Sequence, residues 1–187
     1  KVYKKGRLVE VSPLFKSGYV YKDIIMRLIK TQTNSLLLRR DALFDVGLFD
    51  EKLLRHQDVQ LLARFSSKYK LFCQDEFLNN LDQDDNLNRL KPEKVVQIKK
   101  DFVDSVKDLI DSFSHIEKFR YKLLTRFDIG ALYIADKQYL KGISYLLTIV
   151  LSPIAFVQSC KKVIEKKQMR KVARELANKN MHHYRSI

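Results

Sequence analysis

One carboxylate in the sequence stands where it could act as a base. Asp58 follows Gln57 and precedes the apolar-periodic run 59–65, so the pattern places it in the first turn of a helix. Helix amides at that position stabilise a negative charge, and a carboxylate accepts a proton from a hydroxyl within hydrogen-bond reach. The same residue could instead only cap the helix. The residues alone leave both interpretations open.

Asp58 belongs to a longer run in which residue types follow a defined order. An aliphatic segment that reads as a strand precedes an arginine, a glycine turn, a Q-D pair and a helix with its own arginine. The residues are Leu36–Leu38, Arg40, Gly47-Leu48-Phe49-Asp50-Glu51, Gln57-Asp58 and Arg64. In order and spacing, residues 31–75 closely, and 1–90 loosely, resemble the C-terminal half of the catalytic domain of family 2 glycosyltransferases.

The resemblance implies a concrete chemistry. Asp58 would be the general base of an inverting transfer, in which an acceptor hydroxyl attacks the anomeric carbon of a nucleotide sugar. The acceptor would be a saccharide or a lipid-linked sugar, in the synthesis of bacterial surface polysaccharide or glycolipid. The implied acceptor-binding residues are Thr33, Asn34, Asp50, His56, Gln57 and Arg64. For Arg64 a salt bridge on the helix surface, and for Asp50 a turn, remain equally open.

The family's donor-binding half has no counterpart in this sequence. Its D-x-D metal motif should precede the base, whereas Asp82-Gln83-Asp84 follows it. A divalent metal, Mn²⁺ or Mg²⁺, is expected for the full-length enzyme, with its ligands mostly outside this chain and no metal site within it. The chain opens on Lys1 rather than Met, which indicates a piece of a longer protein. We expect these 187 residues alone to be inactive.

The elements around this run predict an α+β fold, as in the C-terminal half of an A-type nucleotide-sugar domain. Residues 1–15 read as a β-hairpin, 31–38 and 69–73 as strands, and 21–30 and 57–67 as helices. Arg39-Arg40-Asp41 opens another short helix that Gly47 ends.

The hydrophobic pattern of the sequence changes near Lys91, where we place a domain boundary between 1–90 and 91–187. Apolar residues then recur at helical spacing, starting after Pro92. Residues 127–135 and 139–151 resemble a helix pair in which the small residues Ala131 and Gly142 allow close approach. A basic helix is predicted from about residue 154 to residue 178.

The charge balance favours anionic partners. Lys and Arg number 36 against 22 Asp and Glu, a net charge of +14. This charge also suits a non-enzymatic helical adaptor or a nucleic-acid-binding module, the competing class of function, although no specific nucleic acid is indicated. Two distant cysteines, Cys73 and Cys160, and the absence of a signal peptide favour a cytoplasmic location.

The basic segment has two open interpretations: a solvated helix, or a contact with an anionic surface at the inner face of the cell membrane. The second predicts that the chain sediments with vesicles that contain anionic lipid and stays in the supernatant with neutral vesicles. Failure to bind either vesicle would exclude the membrane interpretation.

Overall fold

The computed structural model describes residues 2–4, 7–10, 16–29, 33–74, 81–82 and 90–147, with the single positions 157, 164, 168 and 171. Helices dominate these residues, and the strands are short. The strands are β1 (Val2–Lys4), β2 (Arg7–Glu10) and β3 (Leu81–Asp82); the helices are α1 (Tyr21–Ile25), α2 (Arg40–Asp45), α3 (Gln57–Lys68), α4 (Pro92–Ser105), α5 (Lys107–Asp111), α6 (His115–Ala135) and α7 (Tyr139–Leu147).

The predicted α+β class with an A-type sheet core is wrong. The described residues are mostly helical. β1 pairs antiparallel with β2 and parallel with β3, but neither buried core cluster contains a strand residue. The predicted strand 31–38 is instead a 3-10 turn at Thr33–Ser35, followed by a fully exposed Leu37. Of the predicted strand 69–73, only Leu71 pairs, in an isolated bridge with Gly18.

Helix α3 lies at the centre of the described fold. Its Val59, Leu62 and Ala63 enter a core cluster with α1, α4 and α6. Its Leu61 and Phe65 enter a second cluster with Ala42 and Val46 at α2. The predicted inward residues of this helix are therefore confirmed, and the helix is enclosed on two sides.

The larger core extends across the predicted boundary at Lys91. Ile24 and Ile25 of α1 share it with Phe102 and Leu124. Polar contacts join the same parts of the chain, since the ammonium of Lys22 lies 2.8 Å from a carboxylate oxygen of Glu117.

The start of α6 is fixed by a local hydrogen-bond exchange. Ser114 and Glu117 form a capping box, in which each side chain accepts the other residue's backbone N–H. Because the Glu117 carboxylate also accepts a hydrogen bond from the Lys22 ammonium, this cap connects the N-terminus of α6 to α1.

Helices α6 and α7 approach closely through two glycines. A methyl group on Gly142 would lie 2.6 Å from Ile134 Cγ1 and 3.0 Å from the carbonyl oxygen of Gly130. The predicted role of Gly142 is confirmed, whereas Ala131 is exposed and Gly130 takes its place. The rings of Tyr133 and Tyr145 stack beside this contact, with centroids 5.7 Å apart.

Several expectations fall outside the described residues. They include residues 5 and 6 of the predicted hairpin 1–15, Asp84 of the D-x-D sequence, and the basic helix apart from the four single positions. Within the described ranges, no helix combines the length and the apolar character that a membrane crossing requires.

We predict that Gly142→Ala destabilises the protein. In an exposed helix this change would stabilise by about 1 kcal/mol, but here overpacking should cost about 1–3 kcal/mol. Urea denaturation measures the free energy of unfolding. Ser144→Ala, at an exposed position of the same helix, is the control and should change it little. A more stable Gly142→Ala variant would contradict the close approach of the two helices.

Candidate functional site

The N-terminus of α3 carries three of the predicted site residues. His56 precedes the helix in a left-handed conformation with φ 70°. The side-chain amide of Gln57 donates to the Leu53 carbonyl at 2.8 Å, which ties the helix to the preceding loop. Asp58, half-buried, accepts the N–H of Val59 on its Oδ1 at 2.9 Å.

Asp58 therefore satisfies one amide of the first helical turn, although the N-cap position itself belongs to His56. Within the described residues, no hydrogen bond reaches the other carboxylate oxygen, Oδ2. This arrangement leaves one oxygen able to accept a hydroxyl proton. The assignment of Asp58 as a base remains a prediction.

Arg64 holds the loop that follows α2. Its guanidinium donates to the carbonyl oxygens of Val46, of Gly47 at 3.1 Å and of Leu48 at 2.6 Å. It also donates to Gln60 Oε1 at 2.9 Å. Arg64 thus binds backbone carbonyls rather than a carboxylate, and desolvation by the surrounding protein lowers its pKa.

Gly47 makes this clamp possible. It ends α2, as predicted, with φ 76°, a conformation that glycine adopts without the steric cost of a Cβ. A Cβ there would also lie 2.9 Å from Arg64 Nη1. Asp50, three residues later, accepts the N–H of Lys52 at 3.0 Å and so forms the predicted turn.

A small cavity opens beside His56, between α1, α3, α4 and α6. Its polar lining comprises Arg27, His56, Lys99, Tyr121, Thr125 and Asp128. Thr33 and Asn34 lie in the exposed 3-10 turn and do not line it.

The cavity holds more positive than negative groups. Lys99, whose side chain is only 18% exposed, lies 3.2 Å from Asp128. Burial lowers the pKa of Lys99, although the Asp128 carboxylate opposes this effect. Arg27 reaches solvent at the mouth, yet enough protein surrounds its guanidinium that desolvation lowers its pKa.

The pKa of His56 reflects this buried and positively charged environment. Burial, followed by the charges of Arg27, Lys99 and Arg55, lowers its pKa from 6.5 to about 4. Its ring meets Phe102 edge to face, with centroids 6.0 Å apart. His56 is therefore neutral at physiological pH.

Sequence reasoning missed the polar cavity residues other than His56, namely Arg27, Lys99, Tyr121, Thr125 and Asp128. A signal existed for two of them. Lys99 is three residues before the buried Phe102, and Asp128 is four residues after the buried Leu124, so both occupy the buried faces of their helices. A charged residue on an apolar stripe indicates either a partner or a site.

Searches against protein-family models, curated proteins and solved structures found no match to this chain. In the part of the chain that the structure describes, no three His, Cys, Asp or Glu side chains meet in a way that could hold a metal ion.

We predict that His56 makes stability depend on pH. Its folded pKa of about 4 lies below the ordinary value of 6.5, so the unfolded chain binds more protons between these values. The free energy of unfolding should therefore fall as the pH is lowered through this window. His56→Asn tolerates the left-handed backbone and should weaken this dependence in urea denaturation. Parallel pH profiles for the two proteins would contradict the buried, neutral imidazole.

Proposed function

We propose that this chain forms the acceptor side of an inverting glycosyltransferase that acts on a nucleotide-sugar donor, with Asp58 as general base. The observation that carries the proposal is the half-buried Asp58 carboxylate with an unused oxygen, set in the glycosyltransferase-like order of residues 40–64.

The chemistry needs one proton acceptor on the acceptor side. The acceptor hydroxyl would donate to Asp58 Oδ2 while its oxygen attacks the anomeric carbon. The bond from that carbon to the nucleotide diphosphate breaks with inversion, and the proton remains on Asp58. A positioned base of this kind contributes about 10²–10⁴-fold to a rate.

The packing of α3 supports this role because a base must be held in place. Two core clusters enclose the helix, and the Gln57 amide anchors its first turn to Leu53. Arg64 joins the same helix to the loop that carries Asp50, so the candidate acceptor residues of this loop are fixed relative to Asp58.

The proposal assigns the donor site and its Mn²⁺ or Mg²⁺ to another part of a longer protein. The described helical fold does not provide an A-type sheet, and the proposal does not depend on one in these residues. The acceptor would be a saccharide or a lipid-linked sugar, and the enzyme would work at the cytoplasmic face of the membrane.

The test is sugar transfer by the longer protein with a panel of nucleotide sugars and either metal. Asp58→Asn should lower kcat by about 10²–10⁴-fold while nucleotide binding persists. Asp104→Asn, which removes an exposed carboxylate of α4, should leave kcat unchanged.

Unchanged turnover in Asp58→Asn would reduce this residue to a structural role at the helix start. Absence of turnover with every donor, together with salt-dependent binding to random duplex DNA, would favour the basic helical adaptor instead.

A further inference from the structure

The cavity beside His56 is too small for a sugar ring but suited to one compact group. Its inner recess measures about 20 Å³, room for roughly one water molecule. Counted with its open mouth, the free space reaches about 310 Å³. One oxygen of a small head group can therefore enter the recess, while the rest of the group lies in the open mouth.

Arg27 is the charged group of the cavity that is best placed to receive an anion. The cations Arg27 and Lys99 line the cavity with the neutral His56 and the Asp128 carboxylate, and the Asp58 carboxylate acts on Arg27 from nearby. Asp128 is already engaged by Lys99 at 3.2 Å. Among the described residues, no hydrogen bond or ion pair engages the Arg27 side chain, so its guanidinium donors remain available.

Two residues with a strained backbone conformation line this cavity. Three described residues other than glycine have positive φ, and two of them, Arg27 at 54° and His56 at 70°, line this cavity. A residue with a Cβ is less stable than glycine in the left-handed conformation, because its Cβ crowds the following carbonyl oxygen. Such strain clusters at binding sites, where the side chain has a use that glycine cannot supply.

Arg27 occupies a position at the end of α1 where glycine would be more stable. It ends α1 in a Schellman arrangement: its N–H donates to Ile24 at 3.0 Å, and that of Leu28 donates to Asp23 at 2.9 Å. Glycine is the usual residue at this position, and Gly47 occupies the equivalent place after α2. An arginine here gives up stability and places a guanidinium at the mouth of the cavity.

We propose that this cavity binds one phosphate group, between the guanidinium of Arg27 and the ammonium of Lys99. A planar guanidinium pairs with phosphate oxygens through parallel N–H donors, and Lys99 supplies the charge from the inner side. A bound anion also offsets the charges of these cations, which together with burial lower the pKa of His56, and so raises that pKa. The inference stands on this geometry and does not require the proposed transferase activity.

The phosphate group could belong to a nucleotide sugar or to a lipid-linked acceptor, since both carry a diphosphate. Isothermal titration with inorganic pyrophosphate tests the shared chemistry. Uridine diphosphate then represents the nucleotide sugar, and geranyl diphosphate represents the lipid-linked acceptor. Whichever of the two makes further contacts with the protein should bind more tightly than pyrophosphate. Equal affinity for all three would still support a phosphate site that reads nothing beyond the phosphate.

The fold offers a matched pair of variants. Lys137 ends α6 in the same Schellman arrangement with φ 65°: its N–H donates to the Ile134 carbonyl at 3.0 Å, and that of Gln138 donates to the Tyr133 carbonyl at 2.9 Å. Lys137 does not line the cavity. Arg27→Gly and Lys137→Gly each remove one positive charge at a left-handed position, so both should fold and raise Tm.

Arg27→Gly should weaken pyrophosphate binding at least tenfold, whereas Lys137→Gly should leave it within twofold. In the NMR spectrum of the wild-type chain, saturating pyrophosphate should shift the His56 ring titration to higher pH. Equal loss in both variants would mean that the net charge of +14, rather than the cavity, attracts the anion. That result, or no saturable binding to the wild type, would overturn the proposal.

Discussion

Burial of α3 on two sides is the constraint on which the described structure depends. Val59, Leu62 and Ala63 pack into one cluster, and Leu61 and Phe65 pack into another. A helix held from one side can rock or slide, but one enclosed by two close-packed cores cannot move without opening a cavity in either. Its first turn is therefore fixed relative to the ends of the neighbouring helices, and these ends carry the charged groups.

The charged groups near the first turn of α3 are partly buried, and this burial is unfavourable. Burying a cation is unfavourable unless a partner compensates it. Around His56 the Arg27 and Lys99 cations face the carboxylate of Asp128, which pairs with Lys99, and the carboxylate of Asp58, which acts on Arg27 from nearby. Burial of the His56 ring, followed by the charges of Arg27, Lys99 and Arg55, lowers the pKa of His56 to about 4.

Periodicity in the sequence predicted the helices better than the strands. The stripe of α3, the proline start of α4 and the glycine end of α2 are local signals, and the structure contains all three. The strand predicted over 31–38 is wrong, because a short apolar run such as Leu36–Leu38 does not distinguish a buried strand from other structures. Leu37 is fully exposed. The cavity could not be predicted, because its three charged residues, Arg27, Lys99 and Asp128, come from three separate helices or helix ends that only tertiary packing brings together.

The change in composition near Lys91 does not separate the two halves of the candidate site. His56 and Asp58 precede it and Lys99 and Asp128 follow it, yet the Phe102 ring lies against His56. Lys22 and the capping box of α6 join the same two segments at a second place. The helices after Lys91 therefore form one wall of the phosphate cavity and part of the core that holds α3. A change that loosens α6 should act on the first turn of α3, because the two share a single buried cluster.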